Sequence, residues 1–446
     1  VASISATIGR PGAVVLAVAA LAVAAVTVPV VTGGGSGGSD TANIWVELGA
    51  GTCTGGSSST PITYAASASP DRRCGTLDQA NDAMNSGDLA CIRPGTYPGQ
   101  LVTGNKTSET TFRGCEDGVT FTEPYADPLN NCPAAPGVDA FQTGILCVTA
   151  NFFTLENVTI DQEDLIREAT GIGQANGADI TFRDVNFHGE RPSFQAQGDR
   201  FHWDGGEIGE SGQPAGQRWC GDGNPMTLNG DDTVIENLTI WPQGSDQTPY
   251  TSNPCGSAQS SNGFHLENIR VEGAAGVIIR NNEFKAGSEA GSGHIFFTGA
   301  ATTGAVMEGN YFGANSDGAS AAQNSSNMTS GCGSFTWRYN TFEQPFLPSA
   351  PCDTNGTWTG NAGAYHCGGT HSKNVWFGSS SCSGDTTVSG AFSNLGLTSS
   401  GRPQSGSAVI NAGEATCATV SPDHDGTARP TGGSNCDAGA FEYAGG

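Results

Sequence analysis

The side chains with chemical capacity gather in the middle of this 446-residue sequence. In HLENIRV, positions 265, 267, 269 and 271 alternate onto one strand face, so His265 and Glu267 share it with Ile269 and Val271. An apolar face carries such a pair inward or to a corner, where burial perturbs ionisation and suits the groups to moving protons. Arg270, Lys285 and His294 follow, while His188, Glu190, Arg191, His202 and Asp204 precede, with further carboxylates at Asp222, Asp231 and Asp232. Two chemistries fit these types. β-Elimination on a uronate needs its carboxylate neutralised, then a base to remove the acidified proton. Asp222, Asp231 and Asp232 are the kind of oxygen donors that hold Ca2+ for the first task. Arg270, Lys285, His265 and Arg191 are bases for the second. Hydrolysis instead needs two carboxylates about 5–9.5 Å apart across a glycosidic oxygen, and Asp231 with Asp232 or Asp204 offers them.

Each of these signals has a plainer counterpart. Asp231-Asp232 also reads as a turn, His265 with Glu267 as a structural buried pair, and His188 as a polar residue ending a strand. Arg280 and Arg338, in phase with Glu156, Glu236 and Glu308, read as a solvated charge ladder. The sequence contains no H-E-x-x-H helix or phosphate-binding loop. Lys and Arg total 18 against 43 Asp and Glu, a net charge of −25 with no basic stripe, which excludes general nucleic-acid binding.

The elements that must position these residues repeat. Between Phe152 and Phe342 a six-residue phrase returns as LENVTI, FRDVNF, WDGGEI, IENLTI, IRNNEF, MEGNYF and WRYNTF, at intervals of 27, 21, 32, 44, 28 and 30 residues. Each is a period-two strand rich in β-branched and aromatic residues, and Gly, Asn, Ser and Asp fill the intervals. The 44-residue interval reads as two coils of about 22, with HLENIRV as an extra strand. Strands at this period without crossover helices describe a parallel β-solenoid, in which stacking buries faces that one rung cannot. Asn157, Asp184, Asn237 and Asn281 hold one phase and are expected to form a hydrogen-bonded ladder. The 66 glycines suit the corners of such coils.

Residues 1–40 read as a secretory signal, or an uncleaved membrane anchor, plus a Gly/Ser spacer: Arg10 precedes an apolar run from Ala13 to Val31. The 14 cysteines all follow that segment and none forms a C-x-x-C, so an exported, disulfide-bonded chain is expected. Spacing suggests the local pairs 53–74, 91–115, 132–147, 220–255, 332–352, 367–382 and 417–436.

Against this background, CGTLDQANDAMNSGDLACIRPGTYPG (Cys74 to Gly99) resembles the opening of secreted bacterial right-handed parallel β-helix proteins of the pectate-lyase-like superfamily. The resemblance implies a short capping helix at Leu77 to Met84 and a first strand at Leu89 to Arg93. HLENIRVEGAAGVIIRNNEF is similar to one of their mid-solenoid rungs. SAVINAG and DHDGTARPTGGSNCDAGAFEY resemble their closing segment, implying a disulfide-rich cap in which Arg429, Asp437 and Glu442 pair over the last rung. The expected organisation is all-β: a cap and first coils at 41–151, central rungs at 152–345, and last coils with the cap at 346–446. The superfamily hosts lyases, hydrolases, esterases, epimerases and adhesins, so the fold selects no reaction. The implied function is engagement of extracellular polysaccharide or cell-wall glycan, as a lyase or glycoside hydrolase-like enzyme; the alternative is a non-catalytic cell-surface or matrix module. The superfamily's lyase Asp-His signature and its hydrolase set of NTD, DD, GHG and R-x-K are not assembled here.

Overall fold

The computed structural model describes residues 40–67, 71–122, 145–162, 173–189, 194–209, 226–241, 267–285, 293–299, 302–314, 320–324, 335–344, 356–364, 368–378, 382–415, 417, 422–430 and 435–443. The expected signal or anchor lies outside them, and no helix among the described residues is long and apolar enough to cross a membrane.

These residues form a parallel β-helix, as the repeated phrase predicts. Successive coils place strands in three columns, and neighbours within a column pair in parallel register. The first column is an eight-stranded sheet running from Gln100–Val102 to Ser320–Asn324. The second runs from Ile44–Val46 to Thr370–Ser372, and the third from Gly95–Tyr97 to Thr386–Val388. Each phrase supplies a second-column strand, a one-residue corner and a third-column strand. In FRDVNF, Phe182, Val185 and Phe187 are buried although the first two are an odd number of residues apart. Strict alternation forbids that, and the corner residue resolves it. Asp184 has a φ of 49°, and the same corner is held by Asn157, Gly205, Asn237, Asn281, Gly309, Tyr339, Gly360 and Lys373, with φ up to 77°. Asn, Asp and Gly tolerate this left-handed conformation best.

The asparagine ladder exists, but one residue beyond the expected phase. The side chains of Asn157, Asn237 and Asn281 instead bond Gly114 O, Asp204 Oδ1 and Pro422 O. Asn282, Asn310, Asn340, Asn361 and Asn374 are fully buried. Each donates its Nδ2–H to Oδ1 of the next, at 2.9–3.0 Å. Asn374 closes the series on Asp385 Oδ1 at 2.9 Å. The 44-residue interval is also corrected: Val234 to Glu236 pair directly with Ile278 to Arg280. It is therefore one coil, and HLENIRV supplies its first-column strand, Glu267–Glu272.

Aromatic side chains stack between coils inside the core. Phe284, Phe312 and Phe342 follow one another at 4.8 and 5.1 Å, and Trp337 and Trp358 at 5.1 Å, near the ~4.8 Å strand spacing that a parallel column imposes. Gly177, Gly198 and Gly230 form a column at the corner leading from the first to the second column. A Cβ at each would lie 1.9–2.0 Å from the carbonyl oxygen one coil below, so glycine is required there. At one end, the helix Leu77–Ala83 buries Leu77 and Ala80 in the main core, and Thr76 caps it by accepting from Gln79 N.

Disulfides join Cys53 to Cys74, Cys91 to Cys115 and Cys417 to Cys436, as spacing suggested. Cys147 and Cys382 are disulfide-bonded as well. The other expected pairs involve residues outside the described ones.

The C-terminal segment does not simply close the last rung. Its internal frame is the expected one: Arg429 and Glu442 are fully buried 3.5 Å apart, and Asp437 accepts from Tyr443 N and Asn411 N. The segment then lies back along the corner between the second and third columns. Gly439 N donates to Gly360 O, Ala440 N to Thr341 Oγ1, Phe441 packs on Tyr311, and Asn281 donates to Pro422 O. It straps several coils.

Candidate functional site

The longest sequence intervals between described strands separate the third column from the first, so the end of the third column is the edge at which they begin. The last third-column residues before that edge are the ones to inspect. Phe187, Ile208, Ile240 and Phe284 stack in register, all buried. The residue after each must face outward at the edge, which places His188, Gly209, Trp241 and Lys285 in one row. The outward residue before each gives a second row, Asn186, Glu207, Thr239 and Glu283.

These rows make a connected cluster. His188 Nε2 lies 2.8 Å from Glu207 Oε1, and Trp241 Nε1 donates to Glu207 Oε2 at 2.7 Å. The ammonium of Lys285 sits 5.3 Å from the Trp241 ring centre, within cation–π range. Its Nζ also pairs with Glu283 Oε1 at 2.6 Å, and His424, delivered by the C-terminal strap, reaches Glu283 Oε2 at 3.5 Å. Burial favours the neutral form of Glu283, but hydrogen bonds from His424 and Lys285 outweigh it and hold the carboxyl at about 2. Glu283 is therefore ionised at neutral pH. Glu207 and Glu283 stand two coils apart, roughly 9–10 Å of column, with Thr239 between them.

Two sequence-predicted residues, His188 and Lys285, thus meet around one tryptophan. Arg270 does not join them. It faces outward from the first column, in register with Thr227 and Phe296, and pairs with Glu272 at 3.3 Å. Asp231 and Asp232 lie at the corner entering the second column: Asp231 accepts from Ala275 N at 2.8 Å, and Asp232 adopts a φ of 55°. They serve as turn residues there. Ile269 and Val271 point inward as the alternation of HLENIRV predicts. Glu267 begins that strand opposite Gly293; its side chain, and His265, Arg191 and Asp222, lie outside the described residues. His294 is fully buried between Asn268 and Gly313 O, and burial pushes it down to about 4, so it is neutral.

Sequence reasoning missed Glu207, Trp241, Glu283 and His424. The signal for two of them was present: Glu207 and Glu283 are the fifth residues of WDGGEI and IRNNEF, where the other phrases carry Thr, Asn or Tyr.

No known protein family's profile matches this chain, and no curated protein matches it. Among solved structures, the chain is similar to the pectate lyase Pel9A, at 12% identity over 91% of this chain and 98% of that one, with a TM-score of 0.42. It is also similar to the GH136 lacto-N-biosidase from Eubacterium ramulus, at 10% identity over 72% and 64%, TM-score 0.39. A third is the Azotobacter vinelandii mannuronan C-5 epimerase AlgE4 A-module, at 12% identity over 68% and 91%, TM-score 0.22.

Proposed function

We propose that the protein is exported and engages an extracellular polysaccharide at the loop edge around Trp241, as a glycoside hydrolase-like enzyme. The observation carrying this reading is the pair of adjacent rows in which Glu207 and Glu283 stand on coils two apart and Trp241 rises from the coil between them, bonded to Glu207. An aromatic face stacks on the apolar side of a sugar ring, and flanking carboxylates supply acid and base. The backbone spacing of Glu207 and Glu283, about two strand separations, lies at the upper end of the ~6.5–9.5 Å that separates the carboxyl groups of an inverting pair. In this scheme ionised Glu283 activates water, with Lys285 and His424 orienting it. In the same scheme Glu207, 2.8 Å from His188 Nε2, is the acid that protonates the leaving oxygen. Export accords with the disulfides, which persist in oxidising compartments.

Hydrolysis is favoured over β-elimination because two carboxylates, Glu207 and Glu283, share this edge, whereas Arg270 stands apart from it on the first column. Elimination with Ca2+ held by Asp222, Asp231 and Asp232 is the competing chemistry. The second reading, a non-catalytic cell-surface or matrix module, is favoured by the double tether on Glu283.

A polysaccharide panel assayed with and without calcium separates these readings. Hydrolysis predicts new reducing ends without the ultraviolet absorbance of unsaturated uronates. Unsaturated product that depends on calcium would replace hydrolysis by elimination, and retained glycan binding with neither product would leave the module. Trp241→Ala is expected to weaken glycan binding about tenfold, the upper range for one aromatic contact. Glu207→Gln is expected to lower turnover by ~10²–10⁴ with binding retained. Unchanged binding in Trp241→Ala would remove this face as the glycan site.

A further inference from the structure

One outward position of the second column carries a ladder of charge across eight consecutive coils. Its residues pair in register as Arg113, Glu156, Arg183, Asp204, Glu236, Arg280, Glu308 and Arg338. Signs alternate along this series with a single exception: Asp204 and Glu236 are both acidic and directly opposed. Like charges facing each other across strands are destabilising, so the exception calls for a compensating group.

Histidine stands at that exception. His202 is two residues before Asp204 on the same strand and therefore on the same outward face. Its Nε2 lies 2.6 Å from Glu236 Oε1. One ligand atom from each of His202, Asp204 and Glu236 falls within 4.8 Å of the others. Each remaining contact engages one further carboxylate oxygen. Arg280 bonds Glu236 through Oε2, and Asn237 Nδ2 holds Asp204 Oδ1 at 2.6 Å.

We propose that His202, Asp204 and Glu236 form a zinc-class divalent cation site that bridges two consecutive coils on the second column. An imidazole nitrogen with two carboxylates is a donor set for Zn2+ or a neighbouring transition ion, whereas Ca2+ and Mg2+ prefer oxygen alone. With bonds of ~2.0–2.1 Å, tetrahedral ligand atoms stand about 3.3 Å apart. His202 Nε2 and Glu236 Oε1 need only separate by several tenths of an ångström to admit the ion. Its charge would restore the alternation of the ladder and leave a fourth position for water. The site is separate from the loop edge around Trp241, and its test does not depend on glycan activity. His371 with Asp385 is not a competing site, because the third group near it, Cys382, is in a disulfide.

The full chain, stripped with chelator, is dialysed against ~10 µM ZnCl2 and its bound metal measured by mass spectrometry. One equivalent is expected, accompanied by a rise in melting temperature. His202→Ala and Asp204→Asn are each expected to weaken uptake by ~10–100-fold. Both are partly exposed positions, and circular dichroism of the zinc-free variants checks that they fold. No uptake by the wild-type chain, or uptake unaltered in both folded variants, would overturn the proposal.

Discussion

Glu236 and Glu283 show how a repeated fold makes a carboxylate special. Each sits low against a column of strands, where burial alone would favour the neutral acid, and each is held at about 2 by two hydrogen-bonding partners. Because the folded value is depressed below the ~4.3 of an unfolded Glu, both contribute stability that is complete above that value. That contribution is lost as pH falls toward 2. Acid titration of the wild-type chain, followed by near-ultraviolet circular dichroism, should show stability declining across this window. A Glu236→Gln/Glu283→Gln variant should be less stable at pH 7 and show a flatter decline. An equal slope in both chains would deny these residues the role. Legibility at this scale was partial. The charge ladder was readable because its members share the second place of the phrase, but it is not solvated as expected: Glu156, Glu236 and Glu308 are buried beneath their arginines. Asp231 and Asp232 look like ligands in sequence because acidity is visible there and a backbone corner is not. Trp241 and His424 meet the site only through stacking and the strap, which no local pattern encodes.

Among the elements, the corner and the ladder are held by neighbouring residues. Asn281 takes the left-handed turn, while Asn282 carries the buried amide bonds. Both are asparagines, so the phase was ambiguous by one residue, and the ladder was expected at the corner residue. The same ambiguity affected HLENIRV, whose alternation identified a strand but not its column. Only pairing of Val234 with Ile278 reveals that it belongs within a single coil. Removing one rung of the ladder is costly, because Asn340 Oδ1 accepts from both Asn310 N and Asn310 Nδ2, and its own Nδ2 serves Met307 O. Asn340→Ala therefore leaves buried donors without acceptors. We expect a loss of about 1–3 kcal/mol per orphaned group at most, read as a lower urea midpoint with little change in slope. A midpoint equal to wild type would mean that water or relaxation replaces the bonds.

Over the whole molecule, the helix at one end and the stacked coils were foreseen, and the course of the C-terminal strap was not. Its sequence resembles a closing segment, yet its partners Asn281, Tyr311, Thr341 and Gly360 belong to four different coils. Truncation after residue 421 should therefore weaken hydrogen-exchange protection around Asn281 to Phe312. If the segment only covered the end, the loss would concentrate at Val375 to Val388 instead. The amide ladder has a further consequence for the molecule as a vector. Every bond from Asn282 to Asn374 points the same way, N–H toward the later coil. The aligned dipoles accumulate positive potential at the far end, as in an α-helix pointed backwards. There the series terminates on Asp385. Burial works against its charge, but His371, Trp376 and Asn374 keep its carboxyl below the usual range. The solenoid thus has an electrical polarity as well as a chain direction, and its last coils are built to receive an anion.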